Sequence, residues 1–287
     1  MKIQLPALVA INSSGMGLGN RIRLVLSGKA VADAEGRNFY YVWPKKGFGA
    51  ALTDLWHCDF SELKKGEIVT TSNSLFRRLF AFHRPVVPAL GIDDNILDKR
   101  DLPIWAIRHC YPIKGDGSEE PWENILRRLT PVDEIMTMIK NFQSNNFDIN
   151  TPYVGVQIRA HSKTHSITKE SSPLSWFLMR MDEIAQTNPE TRFFVSCDSA
   201  DAQKEVLRKF PSAAALSAEH EYNSLDAIRK SVADLYLLSD STYLLAPYWS
   251  SFAITAWLLS GRRQPYESNG MTLQAGETDP PLSPLIV

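Results

Sequence analysis

Arg159 closes the apolar run Val154-Gly155-Val156-Gln157-Ile158, and the carboxyl end of such a strand is where open α/β sheets place their ligands. A guanidinium there can clamp a diphosphate with paired hydrogen bonds and offset the charge of a departing nucleotide. An ion pair between lobes is the alternative use of the same arginine. The next residues, Ala160-His161-Ser162-Lys163-Thr164-His165, add one cation and two histidines. No carboxylate stands at a metal-ligating spacing from them, so no metal site is expected.

A glycine-rich stretch, Gly15-Met16-Gly17-Leu18-Gly19-Asn20, lies between the apolar run Leu8–Ile11 and a helical pattern. Neither register of GxGxxG is completed, because Asn20 and Ile22 occupy the third-glycine positions. Backbone at Gly17 and Gly19 can still approach a ligand closely, and a helix N-terminus favours an anion. The plainer reading is a tight turn with Asn20 capping the helix.

Three further positions carry chemistry. Asp198 follows the run Arg192–Cys197, where it suits either a ribose or base contact or an N-cap for the helix from Ala200. Asp234 sits within Val232-Ala233-Asp234-Leu235-Tyr236-Leu237-Leu238 and needs a partner if buried. Ser250 and Ser251 open a helix directly after a strand, a place to hold phosphate or simply to cap.

The elements that must position these residues follow from hydrophobic period. Leu8–Ile11 is a strand, Arg21–Glu35 a helix ended by Gly36, and Phe39–Trp43 a strand ended by Pro44. That βαβ opening predicts a parallel sheet. Pro131–Phe142 is a helix and Gln143–Pro152 a polar joint. Regular alternation follows: strand Tyr153–Ile158, helix Pro173–Gln186, strand Phe193–Cys197, helix Ala200–Lys209, helix Leu225–Leu238, strand Tyr243–Ala246 and helix Ser251–Ser260. Residues beyond Gly261, with Pro280, Pro281 and Pro284, have no assignable pattern. The expected architecture is α/β, with two Rossmann-like lobes, residues 1–145 and 146–287.

Bulk composition excludes several classes. With 44% hydrophobic and 22% charged residues the chain is globular rather than disordered. A formal charge of −1, from 31 basic and 32 acidic residues, provides no long-range field for nucleic acid or an anionic membrane. Cys58, Cys110 and Cys197 are odd in number and scattered, which suits a reducing compartment. No signal peptide pattern opens the chain and no apolar run is long enough to span a bilayer, so a cytoplasmic location is expected.

Taken in order, GLGNRIR, VGVQIRAHSK, FFVSCDS and DLYLLSDSTYLLAPYWSSF resemble the fucosyltransferase superfamily that includes the bacterial nodulation and core α1,6-fucosyltransferases and the protein O-fucosyltransferases. The resemblance covers the opening helix and most of residues 153–260. It implies a GT-B-like fold whose two lobes face a central cleft, GDP-fucose as donor substrate, no resident cofactor and metal-free inverting transfer. By the same resemblance Arg159 binds the donor β-phosphate, Asp234 contacts the base and Ser251 a phosphate. Gln157 stands where core-type members have a histidine near guanine, and Asn20 matches a donor-side asparagine. Ala160 and Ser162 depart from the pattern, replacing an arginine and an acid.

Together these readings predict displacement at an anomeric carbon by a hydroxyl of a glycan-type acceptor. Asp93, Asp94, His161 and Glu170 are loop-borne candidates for the base. Trp43, Trp56, Trp105 and Trp122 are candidates for stacking on sugar rings or for the core. An acid facing guanine would accept from both its N1–H and its exocyclic amine, where uracil offers one N–H. Two alternatives stay open: another nucleotide-sugar donor, or an inactive nucleotide-sugar or glycan-binding protein.

Overall fold

Four consecutive residues of strand β1 (Ala7–Ile11), Ala7 to Ala10, have no solvent exposure, as expected of a strand covered on both faces. The computed structural model describes residues 3–64, 66–70, 86–147 and 151–277. In it the chain forms two units, residues 1–130 and 131–287.

In the first unit β1 leads through the glycine-rich loop into α1 (Leu18–Ala34) and back to β2 (Asn38–Val42). Short strands β3 (Ser61–Glu62) and β4 (Ala89–Leu90), the longer β5 (Ile104–Ile107) and helix α2 (Trp122–Arg128) follow. The sheet runs β3-β2-β1-β5-β4 and every pairing in it is parallel. Ala7, Val9, Tyr40, Val42, Ile104 and Ala106 form the core on one face.

The second unit begins with α3 (Asp133–Asn146) and β6 (Tyr153–Ile158). Next come α4 (Ser166–Ser171), α5 (Leu174–Thr187), β7 (Arg192–Cys197), α6 (Ala200–Lys209) and β8 (Ala213–Ala214). The chain continues through α7 (Leu225–Ser239), β9 (Tyr243–Leu245), α8 (Ser251–Leu259), β10 (Tyr266–Ser268) and β11 (Met271–Leu273). The sheet order is β8-β7-β6-β9-β10-β11, with only β11 antiparallel. This is the doubly wound Rossmann order, whose direction reverses between β6 and β9.

Strand alternation sorts the faces of this sheet. Val154, Val156, Ile158, Phe193, Val195 and Cys197 face α5 and α6 through Phe177, Met181 and Val206. Gly155, Gln157, Phe194 and Ser196 therefore lie on the opposite face, with α7. Gly155 permits that packing: a Cβ there would lie 2.7 Å from Ser241 Oγ and 3.1 Å from Leu238 Cδ2. Close approach of α7 brings Asp234 level with the ends of β6 and β7.

Several boundaries differ from the sequence reading. The division falls between Thr130 and Pro131 rather than near residue 145. Asn145 and Asn146, read as part of a polar joint, form the last turn of α3. That helix packs on α7, and Phe142 meets Phe194 edge-on with centroids 5.1 Å apart, so it belongs to the second core. Residues 148–150 of the joint lie outside the described residues, as do Pro280, Pro281 and Pro284. The unassigned tail contains the β10–β11 hairpin, turned at Asn269-Gly270, where Gly270 has φ +81°. Among the described residues no helix is long and apolar enough to cross a membrane.

Candidate functional site

A cavity of about 340 Å³ opens in the second unit at the carboxyl ends of β6 and β7, beside the reversal of strand order. Gln157, Arg159 and His161 come from β6 and its loop, and Ser196, Cys197 and Asp198 from β7. Lys230 and Asp234 come from α7, with His220 and Tyr222 on the segment before it and Phe252 on α8.

Asp234 is 2% exposed. Its Oδ2 accepts from Lys230 Nζ at 2.6 Å and from Ser196 Oγ at 2.7 Å, while Oδ1 is buried with no partner. Burial pushes its carboxyl above the usual range, opposed by the Lys230 ammonium and the Ser196 hydroxyl. The Lys230 ammonium also donates to Cys197 O at 3.3 Å. A buried carboxylate oxygen without a partner is costly and calls for a donor.

Arg159 lies at the cavity, about a third exposed, with Nε 2.7 Å from Asp198 Oδ2 but without hydrogen-bond alignment. Asp198 is not an N-cap: Ser199 caps α6, its hydroxyl accepting from Ala202 N. Instead, Asp198 Oδ1 accepts from the N–H groups of Ala160 and His161 at 2.7 and 2.9 Å, and Oδ2 accepts from Thr164 Oγ1 at 3.3 Å. It therefore ties down the loop that follows Arg159. His161 stacks on Tyr222 with centroids 4.3 Å apart, and Lys163 Nζ lies 4.4 Å from the same ring's centroid.

Ser250 is the N-cap of α8, accepting from Ala253 N, and its hydroxyl donates to Gln157 Oε1 at 3.0 Å. Capping and orientation of Gln157 thus occupy this serine. Ser251 is half-buried in the first turn of α8. Trp249, just before the cap, has φ +61°, a left-handed backbone conformation.

In the first unit the capping role read for Asn20 does not hold. Gly17 is the N-cap of α1 and makes no side-chain cap, so Asn20 is already inside the helix. Its Oδ1 is buried without a partner. Gly19 is buried in the first turn of α1, while a Cβ on Gly15 or Gly17 would meet nothing within 4 Å. Arg21 is fully buried between Trp43 and Phe48, 5.1 and 4.2 Å from their centroids, and desolvation lowers its pKa to about 10. Trp43, Trp56 and Trp105 are at most 2% exposed and belong to the core rather than to a sugar-stacking surface.

Of the candidate bases, His161 lines the cavity, with Nδ1 accepting from Lys163 N, which leaves Nε2–H as a donor in the neutral ring. Glu170, Asp93 and Asp94 are exposed. Among the described residues no group of three or more His, Cys, Asp or Glu side chains is placed to hold a metal ion. The sequence reading passed over Lys230 and Ser196. Their signals were present: Lys230 lies one helical turn before Asp234, and Ser196 interrupts an apolar strand.

No family model matches the sequence, and no curated protein matches it. The fold has solved counterparts. A NodZ α1,6-fucosyltransferase co-crystallised with GDP aligns with a TM-score of 0.61 and 17% identity, over 94% of this chain and 98% of that one. POFUT1 in complex with GDP aligns with a TM-score of 0.58 and 12% identity, over 93% and 99%. A mutant of Arabidopsis thaliana FUT1 in complex with GDP gives 0.58 and 14%, over 91% and 70%. The resemblance read from the motifs therefore extends to the fold, α/β of the GT-B-like class with two Rossmann-like units.

Proposed function

We propose that the protein is a glycosyltransferase that takes fucose from GDP-fucose and passes it, without a metal ion, to a hydroxyl of a glycan-type acceptor. The observation that carries this reading is the buried, unpartnered Asp234 Oδ1 in a cavity at the strand-order reversal, with Arg159 on the same cavity. The GDP and GDP-fucose complexes of NodZ and the GDP complex of POFUT1 support the choice of donor.

In this reading the acceptor oxygen attacks the anomeric carbon as the bond to the diphosphate breaks, with inversion. The hydroxyl proton passes to a base. Arg159 and the His161 Nε2–H offset the charge on the departing diphosphate, while Asp234 and Gln157 hold the base. Ser251 contributes its hydroxyl or amide to a phosphate.

A panel of GDP-, UDP- and dTDP-sugars tests the proposal by release of free nucleotide, with and without excess EDTA. Turnover of GDP-fucose that persists in EDTA is the expected result. Activity lost in EDTA and restored by Mg²⁺ or Mn²⁺ overturns the metal-free reading. Turnover restricted to UDP- or dTDP-sugars overturns the donor assignment, and nucleotide binding without any turnover leaves an inactive binding protein.

A further inference from the structure

Asp234 offers the cavity one oxygen, not two. Its Oδ2 already accepts from Lys230 Nζ and Ser196 Oγ at 2.6 and 2.7 Å, one donor for each lone pair, and only Oδ1 is unpartnered. Guanine presents its N1–H and its exocyclic amine side by side with nearly parallel N–H bonds. A single oxygen that meets both must take each of them off axis, and it bonds best to one of them in line. With Oδ2 already taking two donors, the acid has one free oxygen to offer the pair.

Lys230 supplies the other half of the recognition. It is 5% exposed, lines the cavity, and directs its ammonium to Asp234 Oδ2 and to Cys197 O. An ammonium carries three N–H donors, so one remains. Nζ is bonded to the same carboxylate whose Oδ1 is bare, so a donor and an acceptor are neighbours on the cavity lining. The complement of that pair is a carbonyl adjacent to a ring N–H.

We infer that Lys230 is a specificity-determining residue and that the second unit reads the 6-keto, N1–H edge of a purine while ignoring its 2-position. Asp234 Oδ1 accepts the N1–H and Lys230 donates to O6. Hypoxanthine shares that edge and lacks only the amine. Adenine inverts it, presenting an amine to Lys230 and a bare ring nitrogen to the carboxylate, so both contacts become repulsive. This inference rests on the nucleotide-sugar reading above.

Calorimetric titration of the full chain with GDP, IDP and ADP decides it. The expected result is IDP within about fivefold of GDP, with ADP at least about tenfold weaker than either, the scale of a lost charged hydrogen bond. IDP weaker than GDP by more than that overturns the inference but leaves GDP as the donor nucleotide. ADP comparable to GDP also overturns it and leaves a site that reads phosphate alone. If none of the three binds, the nucleotide-sugar reading falls and the inference with it. Lys230→Met is the second arm: it should shrink the GDP-to-ADP affinity ratio at least about threefold, a change that general loosening of the fold does not produce. An unchanged ratio removes Lys230 from base recognition. If this variant does not fold, the three-nucleotide series on the unaltered protein still decides between the outcomes.

Discussion

Arg159 and Asp198 leave the ends of neighbouring parallel strands with Nε 2.7 Å from Oδ2, in contact but not aligned as a hydrogen bond. Asp198 commits its lone pairs elsewhere, to the N–H groups of Ala160 and His161 and to the Thr164 hydroxyl. The carboxylate thus holds the loop by hydrogen bonds and the guanidinium by charge. The donors of Arg159 stay available to a ligand's oxygens. Residue 198 positions the loop, and residue 159 is the one proposed to meet phosphate.

Arg159→Ala should cost donor turnover at least about a hundredfold, as for removal of one preorganised charge-stabilising donor. Its melting midpoint should stay close to wild type, because an ion pair this exposed contributes at most about 1 kcal/mol. Arg159→Lys should recover part of the rate, lacking the paired donor geometry. Turnover of the alanine variant within about threefold of wild type would sink the assignment.

Asp198→Asn reverses that balance. An amide in place of the carboxylate loses acceptor strength toward the Ala160 and His161 N–H groups, at about 1–3 kcal/mol. The loop carrying His161 and Lys163 should loosen, and hydrogen exchange at residues 160–164 should rise. Scanning calorimetry should show a larger drop in midpoint than for Arg159→Ala. A midpoint equal to wild type would mean that the loop is held by something else.

Asn20→Ala separates capping from catalysis. A lost N-cap costs about 0.5–2 kcal/mol, but the residue lies within α1 and its Oδ1 has no partner. Removing an unsatisfied buried acceptor and inserting the best helix former should leave stability unchanged or slightly raised. Turnover should fall, by up to about a hundredfold if the side chain orients the donor. A destabilised variant with normal turnover would restore the capping reading.

The Lys230–Asp234 pair makes a stability prediction independent of any ligand. Removing either partner leaves the other charge buried, at about 3–5 kcal/mol, so Lys230→Met and Asp234→Leu should each lower the melting midpoint markedly. The double variant should recover most of the loss, since an apolar pair of similar volume is often neutral. Additive losses in the double-mutant cycle would show that the two side chains act separately.

Much of the fold was legible because strand and helix periods are local. Tyr153–Ile158 and Ala200–Lys209 are read with the same ends in sequence and structure, and the parallel sheets follow from the alternation of such segments. The β10–β11 hairpin was missed although Asn269-Gly270 is a hairpin signal. Its strands have three residues each, too short for a period to emerge. The polar end of α3 read as a linker because a helix ending in Gln and Asn resembles one until its apolar face finds α7.

The sequence by itself determined which residue types stand at strand ends (Arg159 and Asp198), at helix starts (Ser250 and Asn20) and within a helix (Asp234). Their partners were decided in three dimensions. Asp198 bonds to a loop 34 to 38 residues away in the chain, and Asp234 shares one oxygen with a lysine on its own helix and a serine on another strand. Hydrophobic period is written along the chain, so it can be read there. Which lone pair of a buried carboxylate is occupied depends on the packing of α7 against β6 and β7, which no local pattern encodes.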